Sequence, residues 1–166
     1  PNHMVLGSRF YHGEKHIQEF MAMAGKYLDV ISINYYLRWS PDTADMQNWT
    51  SWSGKPFMIT EFYAKGEDSG MKNEGGAGFL VKTQKDRGLF YQNFTMGLLE
   101  SGNCVGWHYF KYADNDPADK KADPSNRDSN KGMVNIAYDT YQPMVDEMKK
   151  INENVYSLIG YFDSRK

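Results

Sequence analysis

The chain has 166 residues, 40% of them hydrophobic and 24% charged, a length sufficient for one domain with its own core. A mean hydropathy of -0.70 and the lack of any apolar run near the ~18 residues of a spanning helix argue against a membrane protein. Nineteen basic against 21 acidic residues, a net charge of -2, leave no electrostatic footprint for nucleic acid. Aromatic residues are in excess, with 12 Tyr, 9 Phe and 4 Trp, a stock that serves either a core or a sugar-binding cleft. The single Cys104 excludes an internal disulfide framework and a cysteine-based zinc site, and its apolar surroundings predict a buried, inert thiol. The compartment stays open.

An apolar run at residues 4–7 opens the chain, and the spacing of Ile17, Phe20, Met21 and Ala24 predicts a helix over about 14–27. Residues 29–36 are β-branched and nearly continuously apolar, the pattern of a strand buried on both faces. Ser40-Pro41-Asp42 starts a weaker helix over 43–52, and Gly54-Lys55-Pro56 precedes a strand over 57–62. A polar, glycine-rich loop follows over about 65–78. The strongest helix spans 83–101 and is stopped by Gly102-Asn103. A further strand over 104–109 runs into a loop dense in Asp, Asn, Lys and Pro up to Gly132. The last helix is expected over 141–152, with Met144, Val145, Met148 and Ile151 on one stripe.

Strand-helix alternation with buried-type strands implies parallel pairing and right-handed crossovers. Long loops follow the last two strands, which places function at the carboxyl ends of the sheet. Four βα units make half of a barrel, and a closed one needs ~250 residues. The fold class is therefore α/β, a parallel (βα)4 half-barrel treated as one unit over 1–166. The chain opens on Pro1 without an initiator methionine or apolar leader, so either something has been removed or the chain is a piece of a longer polypeptide.

Glu61 is the leading chemical candidate, because a carboxylate where a buried strand emerges is costly unless something pairs or uses it. Asn34 and Tyr36, two apart at the end of the preceding strand, share a side, and the Tyr36 hydroxyl is placed to donate to Glu61. Alternation puts Trp107, Tyr109 and Lys111 on one face of the last strand and His108 and Phe110 on the other. Trp107 reads either as core or as a floor on which a sugar stacks. Asp114-Asn115-Asp116 lacks the glycine and closing glutamate of a calcium loop and reads as a solvated run or as acceptors for sugar hydroxyls. His12 and His16, four apart, lack a third ligand for a metal. Asn48-Trp49-Thr50 and Asn93-Phe94-Thr95 match the glycosylation pattern by chance.

Lys55-Pro56-Phe57-Met58-Ile59-Thr60-Glu61-Phe62 resembles the seventh strand of retaining glycosidases built on (β/α)8 barrels, in which that strand ends in the nucleophile. Four further stretches resemble the family 50 glycoside hydrolases, the β-agarases: 83–88, 90–95, 104–112 and 123–132. Leu6-Gly7-Ser8-Arg9-Phe10 is similar to that family's fifth strand. The resemblance implies strands five to eight of the barrel, the C-terminal half of the catalytic domain. It implies retaining hydrolysis of a β-linked galactan such as agarose, without a cofactor, and so a secreted, periplasmic or cell-surface parent enzyme. Glu61 maps onto the nucleophile, Tyr36 would orient it, Asn34 would touch the sugar and Trp107 would stack beneath the ring. Tyr109 would flank the site, and Asp114 and Asn115 would bind hydroxyls. The Asn-Glu that ends the fourth strand and supplies the acid/base is not found in the right place; Asn73-Glu74 and Asn152-Glu153 lie elsewhere. The expected partner is therefore the N-terminal half-barrel or a second copy of the chain. The alternative is a non-catalytic carbohydrate-binding or structural remnant.

Overall fold

The structure, a computed structural model, describes residues 3–165. Its elements run α1 (Gln18–Tyr27), β1 (Ile31–Asn34), α2 (Thr43–Ser53), β2 (Phe57–Glu61), β3 (Ala64–Gly66), β4 (Phe79–Val81), α3 (Gln84–Ser101), β5 (Cys104–Trp107), α4 (Gln142–Asn152) and α5 (Val155–Asp163). Short 3-10 turns occupy Gly13–His16 and Glu67–Ser69. β1, β2 and β5 form a parallel sheet in the order β1-β2-β5, and β3 and β4 form a separate parallel pair. Ile31, Ile33, Phe57 and Ile59 are fully buried in this sheet, as expected of strands covered on both faces.

The sheet has three strands where four were expected. Residues 4–7 form no strand, and Met4 and Val5 are exposed. Gly7 has a φ of 63°, a left-handed conformation that an extended strand does not pass through. The segment still runs beside β1. The Asp29 amide donates to Val5 O, Phe10 donates to Ser32 O and Asn34 donates to Phe10 O, so Phe10 makes one parallel bridge to Ile33. The helix expected over 14–27 is broken at the extended Ile17. The β3-β4 pair lies in and just after the expected loop, and α5 is an additional helix.

α3 begins where its chemistry dictates. The Thr83 side chain accepts from the Asp86 amide, while Asp86 accepts from the Thr83 amide, a reciprocal capping box. Gly102 ends it at φ 70°. Its inner face, Phe90, Tyr91, Phe94 and Leu98, packs with Phe62, whose ring stacks on Phe94 at 4.4 Å between centroids. α1 crosses α2 with backbone against backbone, and a Cβ built on Gly25 would lie 1.9 Å from Ser53 O. Gly25→Ala is therefore expected to cost about 1–3 kcal/mol, read as a lowered midpoint in urea; an unchanged midpoint contradicts this packing.

Candidate functional site

The ends of β1 and β2 are offset by a register shift that sets Asn34 opposite Glu61. There the strand-end side chains meet the two long loops around a cavity of ≈ 350 Å³, within the range of small-molecule sites. Strand-side walls are Asn34, Tyr36, Glu61 and Tyr63, with Tyr11 beside them; the loops add Gly76, Asn126 and Lys131, and Phe110 closes another side. A larger cavity of ≈ 780 Å³ lies among α2, α3 and α5, but no strand-end residue reaches it. The smaller one holds the strand-end carboxylate.

Glu61 is clamped at both carboxylate oxygens. The Tyr36 hydroxyl donates to Oε2, and Arg9 Nη1 donates to Oε1 at 2.7 Å. The carboxylate side chain is 14% exposed and that of Arg9 57%. Burial first, then the bond to Glu61, raises the Tyr36 hydroxyl well above the ordinary phenol range, so it stays a donor at any pH the protein meets. Asn34 Oδ1 accepts from Thr60 Oγ1 at 2.8 Å, which fixes the amide beside the carboxylate. The expected bond from Tyr36 to Glu61 is therefore made. Arg9 was missed because an exposed arginine in an irregular segment carries no pattern.

The remaining expected site residues lie elsewhere. Trp107 donates from Nε1 to the Tyr91 hydroxyl at 2.7 Å, and Tyr91 donates to Asn152 on α4, so this indole faces the helix layer. The Tyr109 hydroxyl accepts from the Ala64 amide and from Arg87 and donates to Ala64 O, with its ring edge-on to Phe62. Neither lines the cavity. Phe110, from the opposite face of the same segment, does. Asp114 is buried and accepts from Asn130 Nδ2, the Lys131 and Gly132 amides and the Tyr141 hydroxyl at 2.6–2.8 Å. Four donors occupy both its oxygens, leaving it to hold the loop rather than a sugar. Asn115 accepts from Lys111 and does not line the cavity either. Of the two histidines, His16 faces Asp45 at 3.3 Å. The Cys104 thiol is half-buried, and burial pushes it up to about 11.

Lys131 is the larger omission from the sequence reading. It lies in the 123–132 stretch, is 2% exposed, and points its ammonium at the Tyr63 ring from 4.6 Å. Burial, with Lys65 and Lys111 nearby, pushes its pKa down to about 8 against the attraction of Asp123 and Glu61. An unfolded lysine keeps its proton to about 10.4, so between those values the unfolded chain binds more protons and stability rises with pH. Relative to Lys131→Met, the parent chain is expected to gain melting temperature between about pH 7.5 and about pH 10. A difference that is flat or falls over that interval contradicts the burial of this charge.

No family model matches the chain. It is 32% identical over 160 residues to Beta-agarase B of Vibrio sp. (strain JT0107), a match that covers 95% of the chain and 16% of that protein. Among solved structures it is similar to the crystal structure of BpGH50, with 48% identity and a TM-score of 0.89, covering 98% of the chain and 34% of that structure. An exo-beta-agarase structure aligns at 28% identity and a TM-score of 0.80, covering 96% and 20%. The likeness is thus continuous along the chain, which spans about a third of one solved relative and 16% of the curated one.

Proposed function

The chain belongs to the family 50 glycoside hydrolases, and on that premise we propose that it carries the nucleophile of a retaining β-agarase. Its three-strand sheet, with Phe10 at one edge, is read as strands five to eight of a (β/α)8 barrel. Among the described residues β5 pairs on one side only, which supports that reading, since an unpaired parallel edge invites association. The observation that carries the proposal is the Glu61 carboxylate, held by Tyr36 and Arg9 at a strand end and facing a cavity.

In this reading Glu61 attacks the anomeric carbon of a β-linked galactose unit of agarose, forming a glycosyl-enzyme as the aglycone oxygen leaves. A second carboxyl group about 5–5.5 Å away protonates that oxygen and then takes a proton from the incoming water. Tyr36 and Arg9 hold the carboxylate oriented, and the aromatic walls are Tyr11, Tyr36, Tyr63 and Phe110. Asp123 is the other carboxylate lining the cavity among the described residues, and it suits the acid role poorly. It accepts from the Ser125 hydroxyl and amide, which holds its pKa low, whereas a general acid needs a raised one. The acid/base is therefore assigned to a polypeptide beyond this chain, the remaining half-barrel before a second copy of the same chain.

The unsuitability of Asp123 also favours a second reading, a carbohydrate-binding half-barrel without turnover. Incubation with agaro-oligosaccharides and ¹H NMR of the first-formed reducing sugar separate the two. Initial appearance of the β-anomer supports retaining hydrolysis and the α-anomer overturns it. Binding without product supports the second reading.

A further inference from the structure

Of the described residues that line the Glu61 cavity, only Lys131 is cationic. It is almost fully buried, yet among the described residues it makes no ion pair. Its ammonium donates to Asn126 Oδ1 at 2.8 Å, and the faces of Tyr63 and Phe110 lie 4.6 and 5.7 Å away. An ammonium has three N–H bonds, so one is satisfied by an amide oxygen and two are left with ring faces and the cavity. The surroundings are built to hold it there. Asp114 binds the Lys131 amide. Gly76 comes so close, at φ 82°, that a Cβ there would lie 2.5 Å from Lys131 Nζ and 2.2 Å from the Tyr63 hydroxyl.

We propose that Lys131 is a substrate-binding residue, whose two unfilled N–H bonds donate to hydroxyl oxygens of a neutral sugar seated against Glu61. The inference rests on the glycoside reading of that site. A neutral ligand is favoured over an anionic one because the two carboxylates Glu61 and Asp123 are matched by two cations, Lys131 and the Arg9 that pairs with Glu61, so a sulfate or carboxylate substituent finds no net positive charge there. A charged donor also belongs on the sugar's hydroxyl side, away from the anomeric carbon, where positive charge develops in the transition state.

The test uses the chain carrying Glu61→Gln, so that binding is read without turnover, titrated with an agaro-tetrasaccharide by calorimetry. The ε-carbon NMR signal of Lys131, assigned by its loss in Lys131→Arg, is followed in the same titration. Adding Lys131→Met is expected to weaken binding by about tenfold or more, while Lys131→Arg retains more of it and the Lys131 signal moves as sugar is added. Equal affinity in the Met variant, or a Lys131 signal that stays fixed while the sugar binds, overturns the inference and leaves the glycoside reading standing. Failure of the unaltered Lys131 chain to bind any agaro-oligosaccharide overturns both. A cooperative melt of each variant separates lost contact from lost fold.

Discussion

Glu61→Gln is expected to lower agaro-oligosaccharide hydrolysis by at least about three orders of magnitude in any assembly of this chain that turns over. The fold and the affinity for sugar should be nearly unchanged. Glutamine keeps the length and branching of the side chain, so the wall of the cavity persists. What it loses is the anionic oxygen that attacks carbon in the proposed mechanism, and its amide nitrogen cannot accept from either Tyr36 or Arg9. Arg9 is more than half exposed, so the broken ion pair is worth less than ~1 kcal/mol. Initial rates and a urea midpoint on the same preparation check both halves of the expectation. A rate within tenfold of the parent assigns the chemistry to another group.

Arg87→Met is expected to destabilise the fold by about 3 kcal/mol or more. Arg87 is fully buried on α3, and its guanidinium ties together four parts of the chain. Nε donates to Ala64 O at 2.9 Å, Nη1 to Gln84 Oε1 at 2.7 Å, and Nη2 to Gly132 O at 2.9 Å and the Tyr109 hydroxyl at 3.2 Å. The Tyr109 and Tyr141 rings lie 5.9 and 5.6 Å from it. Methionine fills much of the volume but leaves Gly132 O without its donor beside Lys131, so the loop wall of the cavity loosens with the core. Arg87→Lys keeps the charge but not the planar fork and should fall between the two. Urea denaturation reads the difference, and a loss below about 1 kcal/mol would show that the acceptors find other donors.

The strand ending at Glu61 was legible because the apolar run Phe57-Met58-Ile59 gives way, after Thr60, to a carboxylate, and the physics of burial makes that transition rare without a purpose. The α3 start was placed at Thr83, which proves to be its cap, and of the α4 stripe Met144, Met148 and Ile151 are buried while Val145 is only half-buried. The last strand shows where pattern stops short. Alternation grouped Trp107 with Tyr109 and Lys111, and His108 with Phe110, but the strand ends at Trp107 and periodicity does not say which face looks inward. The Trp107 and Tyr109 side chains went to the helix layer, and Phe110 to the cavity.

The loop contributions were less legible still. β3 and β4 are three residues each, too short for alternation to register, and are held by side chains far apart in sequence. Asn130, for example, accepts from both Gly66 and Gln84. Lys131 sat in a run of Asp, Asn, Ser and Lys that composition alone assigns to solvent, and only the fold turns it inward. Asp114 looked like a surface acceptor for the same reason. Its four donors come from sites up to 27 residues away, which no local window contains.

The nucleophilic role proposed for Glu61 is tested most directly by intact-mass and peptide mass spectrometry of the chain incubated with 2,4-dinitrophenyl β-galactoside. An activated aryl group departs without protonation, so this first step needs a nucleophile and not a general acid. The prediction is a single galactosyl increment located on Glu61 and abolished by Glu61→Gln. An increment carried by another residue, or none on a folded chain that binds the galactoside, would contradict the assignment.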